Sequence, residues 1–240
     1  MSTVVKRGYS PNDHKEFSNQ SIEKLYKAGK DLQYLLNQGY NIKGASAFVG
    51  NHYLLSERQR LALVRAISAD DCIRIRRSKE IRNIPYGSTV NIDGFNTIIT
   101  LEVALSESLL LKCIDGTIRD LAALRGTYRL IDKTETAIIL IGKSLEKNNV
   151  GKAVFYLDAP VSNSGRLTQR IVELLNQFSF EVQVEVIHNV DAVLEKLDNV
   201  ITSDAIILDR CISWINLNRK IIEEIMGDYP YIDFSSCSNW

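Results

Sequence analysis

From residue 89 onward, short apolar runs alternate with stretches of helical spacing, and this constrains the fold more than any other feature of the chain. The segments 90–95, 153–157, 182–187, 200–203 and 214–217 read as strands. The segments 97–105, 134–147, 165–178, 191–197 and 218–226 between and after them read as helices. Strands separated by helices need crossover connections, so the spacing predicts an α/β class with a Rossmann-like, mainly parallel sheet covered on both faces. The segment 109–128 breaks the alternation. Its Asp115-Gly116 pair is a hairpin-turn signal and predicts an inserted hairpin or loop.

The preceding 88 residues follow another pattern. After a polar terminus of about 15 residues, Ile22, Leu25, Tyr26, Leu32, Leu35 and Leu36 recur at helical spacing over 21–38, and Gly39 marks a stop. A second helix is predicted from Ser56, where Ser56 and Gln59 have the spacing of a capping box. Residues 74–82 are strongly basic, and Pro85, Gly87 and Ser88 then punctuate the chain. These features predict a small basic helical domain over 1–88 and the α/β domain over 89–240. The net charge is zero, but residues 1–88 hold 15 Lys+Arg against 8 Asp+Glu, and residues 89–240 hold 14 against 21. No apolar run reaches the ~18 residues of a membrane span, and the first residues do not resemble a signal peptide, so no membrane partner and a cytoplasmic location are expected. Cys72, Cys113, Cys211 and Cys237 form no CxxC pair, which argues against a zinc site and for reduced structural thiols.

Asp93, Asp158 and Asp204 each follow a predicted strand. In open α/β sheets ligands bind beyond the carboxyl ends of the strands. If the three strands are neighbours, the carboxylates converge there and repel one another unless a cation intervenes. Mg²⁺ and Mn²⁺ favour such oxygen ligands and support phosphodiester displacement. A strand-end aspartate also turns chains and caps helices, so each of the three has a purely structural reading. Asp209, Glu102, Asp115 and Asp120 are further acids near the predicted cleft. Ser162, Asn163 and Ser164 precede a helix, where they would hold a phosphate or simply cap. Arg119, Arg125 and Arg129 would clamp phosphates or pair with local acids. Arg74, Arg76, Arg77, Lys79 and Arg82, with Arg58, Arg60 and Arg65 nearby, would track a nucleic-acid backbone or form a solvated face. Tyr34, Tyr40 and Tyr53 would stack bases or fill the core. His14, His52 and His188 form no cluster, no Ser-His-Asp or Cys-His spacing is present, and Gly-x-Gly-x-x-Gly and Walker loops are absent.

Two resemblances attach to these residues. Asp93-Gly94-Phe95-Asn96 resembles the first-strand motif of NYN-type members of the PIN-like nuclease superfamily, and Thr202-Ser203-Asp204 resembles their late Asp motif. That resemblance implies a sheet ordered 3-2-1-4-5 and Mg²⁺- or Mn²⁺-dependent phosphodiester hydrolysis, chiefly of RNA. It implies Asp93 and Asp204 as metal ligands, Asn96 as an orienting or substrate-contacting group, and Asp158 as a further acid. Here Asp204 is followed by Ala205 and Ile206 where the superfamily often has another acid, so the site is either incomplete or rebuilt from Asp115, Asp120 or Asp209. Over 31–226 the chain also resembles the two-part domain of unknown function 434 family. That match is carried by Asp31-Leu32-Gln33-Tyr34-Leu35-Leu36, Val49-Gly50-Asn51, Leu55-Ser56-Glu57-Arg58-Gln59-Arg60, Asp93-Gly94-Phe95-Asn96, Asp115-Gly116, Arg119-Asp120, Asp158-Ala159-Pro160 and Ser203-Asp204. It implies no activity. The expectation is a metal-dependent ribonuclease with RNA as partner. The alternatives are a non-catalytic RNA-binding protein on the same fold and an enzyme of a small phosphorylated metabolite. The oligomeric state is open, a homodimer included.

Overall fold

The computed structural model describes residues 5–122 and 126–235. Arg125 and Cys237 therefore lie outside the described residues. Five helices come first: α1 (Asp13–Glu16), α2 (Asn19–Asn37), α3 (Ile42–His52), α4 (Glu57–Ala66) and α5 (Asp70–Lys79). Leu25, Ala28 and Leu32 form the buried stripe of α2. The Gly39 backbone, at φ +83, takes the left-handed turn that ends it. At the start of α4 both reciprocal bonds of the Ser56–Gln59 capping box are present. Three helices of this part depart from the sequence reading. Helices α1 and α3 were not expected, and the basic run over 74–82 is largely the second half of α5.

The α/β part contains β1 (Thr89–Asp93), α6 (Gly94–Leu105), β2 (Leu110–Lys112), β3 (Ile118–Asp120), α7 (Thr134–Lys147), β4 (Lys152–Asp158), α8 (Ser164–Leu175) and β5 (Glu181–Ile187). It continues through α9 (Val190–Leu194), β6 (Val200–Ile201), α10 (Ala205–Arg210), β7 (Trp214–Ile215), α11 (Leu217–Met226) and β8 (Ile232–Asp233). The main sheet runs β5-β4-β1-β6-β7, with every pair parallel. Its inner strands β4, β1 and β6 are mostly buried because helices cover both faces, whereas the edge strand β5 alternates Val with Glu and Gln and is only partly buried. Ile92, Phe155 and Leu157 are fully buried with Ile138 and Ile141 of α7, Leu167 and Ile171 of α8, and Ile221 of α11. Each such side chain contributes roughly 1.5–3 kcal/mol of burial. Gly94 sets how closely α6 approaches the sheet. A Cβ there would lie 2.6 Å from Leu157 Cδ2 and 3.0 Å from the Tyr156 carbonyl oxygen, so a side chain would push the helix start away from β4.

The expected hairpin at Asp115-Gly116 is β2–β3, and β8 pairs parallel with β2 to make a second, three-stranded sheet. The helical part rests on this sheet. Leu25, Leu32, Leu63 and Ile67 pack in one core with Leu111, Cys113, Ile114, Ile232 and Phe234. That core crosses the boundary placed at residue 88. It holds α2, α4 and α5 over the carboxyl edge of the main sheet, where they line a cleft together with the strand ends. Among the described residues no helix is long and apolar enough to cross a membrane.

Candidate active site

Strands β4, β1 and β6 lie side by side, so their carboxyl ends carry Asp158, Asp93 and Asp204 along one edge. All three line a cleft of about 800 Å³, together with Asp191 at the start of α9. Asp93 ends β1 and Asp204 is the N-cap of α10. Thr202 links them: its Oγ1 donates to Asp93 Oδ2 at 2.8 Å and accepts from the Asp204 N–H at 3.0 Å. Asp204 Oδ1 accepts from the Ile206 and Ile207 N–H groups at 2.8 and 3.3 Å. The capping reading of this residue is thus realised in the same side chain that faces the cleft. Asn96 Oδ1 accepts from both the N–H and the Oγ of Ser203 at 2.9 Å. It therefore orients the loop that carries Asp204.

Burial pushes the Asp93 carboxyl up to about 7, with Asp204 and Asp191 adding repulsion and the bonds from Thr202 and the Asn96 N–H opposing the rise. The Asp191 carboxyl is also raised, by burial first and then by Asp204 and Asp158. Among the described residues no Lys or Arg forms an ion pair with Asp93, Asp158, Asp191 or Asp204. Among the described residues no three metal-ligating side chains stand close enough, as placed, to hold an ion between them. Mg²⁺ does not need three: it is commonly held by one or two carboxylates, several waters and a substrate phosphate. The all-oxygen donor set and the uncompensated negative charge fit such a site.

Next to this edge lies a cluster of the opposite character. Arg76 on α5 is 2% exposed. Its Nη1 donates to Asp115 Oδ2 at 2.6 Å and to Ser68 Oγ at 2.9 Å, and its Nε and Nη2 grip Asp209 at 2.6 and 3.0 Å. Arg119 donates from Nη2 to Asp115 Oδ2 and from Nε to the Ser203 carbonyl, both at 2.6 Å, and from Nη1 to the Arg65 carbonyl. Arg65 pairs with Asp120, which also accepts from Thr100 Oγ1 at 2.7 Å. Burial alone would raise the Asp115 carboxyl, but Arg119 and Arg76, with bonds from Thr117, outweigh it and hold the group below its ordinary value.

These placements correct several expectations. Arg76 does not track a nucleic-acid backbone, because it is buried in ion pairs. Asp209 lines the same cleft as the strand-end acids, but unlike them it is held by Arg76 in a bidentate pair. Arg119 lines the cleft with its guanidinium committed to Asp115, Ser203 and Arg65. Its bond to Ser203 meets the bonds from Asn96 on the same residue, so it positions the Asp204 loop. Asp115 and Asp120 belong to this network and do not complete a metal site. Glu102 faces away from the cleft, bonded to Tyr128 Oη at 2.6 Å, to Arg7 Nε at 2.8 Å and to Thr134 Oγ1. Its carboxyl is raised by burial despite those partners. Ser162, Asn163 and Ser164 are outside the cleft lining. The Asn163 side chain donates to the Tyr128 carbonyl at 2.7 Å and caps nothing. Lys79 donates to the Asp209 carbonyl at 2.8 Å, whereas Arg74, Arg77 and Arg82 are exposed. Tyr53 bonds Asp31, while Tyr34 and Tyr40 are exposed rather than core. Asp191 was missed because it reads as an ordinary first-turn acid of a short helix. Its position just beyond β5 was the available signal.

The fold and cleft define a class: a parallel α/β domain whose acidic carboxyl edge is roofed by a helical unit. The chain belongs to the family described as Domain of unknown function (DUF5616), which matches residues 82–220, and residues 24–79 match the family described as Protein of unknown function (DUF434). The two-part organisation is thereby shown, with the 434 resemblance confined to the helical part. The chain is 38% identical over 186 residues to "Uncharacterized protein MJ0935" of Methanocaldococcus jannaschii, covering 77% of this chain and 88% of that one. No solved structure matches the chain.

Proposed function

We propose that the protein is a divalent-cation-dependent ribonuclease that hydrolyses phosphodiester bonds at the carboxyl edge of its parallel sheet. The observation that carries this reading is the gathering of Asp93, Asp158, Asp191 and Asp204 on one cleft with no basic partner among the described residues. Counted in chain order, the strands of the main sheet run 3-2-1-4-5. That is the order implied by the PIN-like resemblance of Asp93-Gly94-Phe95-Asn96 and Thr202-Ser203-Asp204, and it supports the reading. Asp93 and Asp204 would hold Mg²⁺ or Mn²⁺, and a bound ion of this kind supplies an activated water and charge neutralisation at phosphorus. Asn96 and Arg119 fix the Ser203 backbone from opposite sides and so hold Asp204 in place. The exposed Arg77 and Arg82, with Arg74 beside its partner Asp71, would meet phosphates outside the cleft.

A second reading, an RNA-binding protein without catalysis, is favoured by the spacing of the acids, no three of which already form a cage among the described residues. Cleavage of labelled RNA by the purified full chain decides between the two. The proposal expects Mn²⁺-dependent products that a chelator prevents and that Asp93→Asn abolishes. RNA binding that survives Asp93→Asn, with no products from the wild type, would support the second reading instead.

A further inference from the structure

The cleft has a second wall that the acidic floor does not explain. On the helical side its lining includes an apolar group, Leu36, Tyr40, Ile42 and Val64, next to the ion-paired Arg65 and Arg76. Tyr40 is 61% exposed, and Ile206, which lines the cleft from α10 two residues after Asp204, is 54% exposed. Among the described residues no hydrogen bond or ring contact engages the Tyr40 side chain. Its backbone is nonetheless fixed. The Tyr40 N–H donates to the Leu35 carbonyl at 3.1 Å, closing α2, and Asn41 Oδ1 accepts from the Gly44 N–H at 2.8 Å, opening α3. The ring is thus carried on a corner between two helices, at the mouth of a cleft whose floor is charged. An exposed apolar rim beside a polar floor suits a ligand with a flat apolar part joined to a charged one.

We propose that this corner is a base-stacking subsite that selects single-stranded RNA: one base lies on Tyr40 beside Ile42 and Val64 while the attached phosphate reaches the aspartate edge. The inference rests on the nuclease reading of that edge. An unpaired base offers its π-face to an aromatic ring whatever its sequence. A base in a duplex is stacked on its neighbours and shows only its edge in a groove. Strandedness is therefore the property this wall discriminates.

The test uses a short RNA with 2-aminopurine in place of adenine, single-stranded or annealed to its complement, with Ca²⁺ in place of Mn²⁺ to hold the phosphate. Wild type is expected to bind the single strand with a change in fluorescence and the duplex more weakly. Tyr40→Ala is expected to weaken single-strand binding by about 10-fold or more, with duplex binding unchanged and with Tyr40→Phe close to wild type. Because Tyr40 is largely exposed, these variants keep the fold. Single-strand binding that is unchanged in Tyr40→Ala, equal binding of the duplex, or no binding of either strand by the wild type would overturn the subsite. The two ideas fail separately. Mn²⁺-dependent cleavage that Asp93→Asn abolishes and Tyr40→Ala leaves intact overturns the subsite alone. Tyr40-dependent binding without any cleavage keeps the subsite and overturns the nuclease.

Discussion

Asp115 and Asp93 are separated by little more than one helix and one short strand of sequence, and they are in opposite electrostatic states. Asp115 lies beneath the helical roof with two arginines and two Thr117 donors. Asp93 lies on the open edge beside Asp204 and Asp191, with a hydroxyl and one N–H as its donors. A buried carboxylate is tolerated where cations and donors surround it, and removing one partner from such a cluster exposes the full desolvation cost of the rest. An acid left uncompensated at the rim of a cleft weakens the fold unless something outside the chain completes it. The first region therefore reads as architecture and the second as function. The charge asymmetry along the chain has the same explanation in part. Arg65 and Arg76 from the basic segment are neutralised by Asp120, Asp115 and Asp209 of the acidic one.

The largest effect is expected from breaking the balanced side. Asp115→Ala leaves Arg76 and Arg119 buried without their shared partner and should cost about 3–5 kcal/mol in urea unfolding. Arg7→Ala tests the same rule at the other end of α6. It strips the buried Glu102 of its cation and should cost roughly 1.5–3 kcal/mol. On the unbalanced side the sign reverses. The folded Asp93 value near 7 lies above the unfolded one near 3.9. The folded state thus holds a proton that the unfolded chain has released. The contribution of Asp93 to stability is fully present below about pH 4 and is lost as pH rises through about 7. Its size should be on the order of 1–2 kcal/mol, since the side chain is partly solvated. Unfolding midpoints at pH 5 and pH 8 should show this fall in wild type and a flatter profile in Asp93→Asn. Asp115 contributes in the opposite direction: its stabilisation is present above about pH 4 and is lost as pH falls through its depressed folded value. The smallest effect is expected at the exposed Arg74–Asp71 pair. Arg74→Ala should change stability by less than about 0.5 kcal/mol, and any larger loss would show that this face is not simply solvated.

The residues that spell out the parallel sheet are local, and so the sheet could be read from sequence. Ile92, Phe155 and Leu157 sit in apolar runs bounded by polar turns, and the Ser56–Gln59 box announces α4 directly. Helix α3 was hidden because Gly44 and Gly50 interrupt it and its largest apolar residue, Phe48, points to solvent. Helix α5 was hidden because one of its two buried positions is Arg76, so its inward face looks like a charge run. At the site, Asp93, Asp158 and Asp204 were legible from their place after strands. The partners of Arg76 and Arg119 were not. Arg76 finds Asp209 across 133 residues and Arg119 reaches Ser203 across 84, pairings that only the tertiary fold creates. For the same reason the sequence offers a phosphate role for Arg119 and a metal role for Asp209 without showing that each is already ion-paired inside the protein at the cleft.

Calorimetric titration of the folded full chain with Mn²⁺, wild type against Asp93→Asn/Asp204→Asn, tests most directly the claim that the unpaired aspartate edge awaits a cation. Saturable binding by the wild type is expected, lost in the double variant while its fold persists. Absence of binding by the wild type, with single-stranded RNA present to complete the site, or equal binding by the double variant, would contradict it.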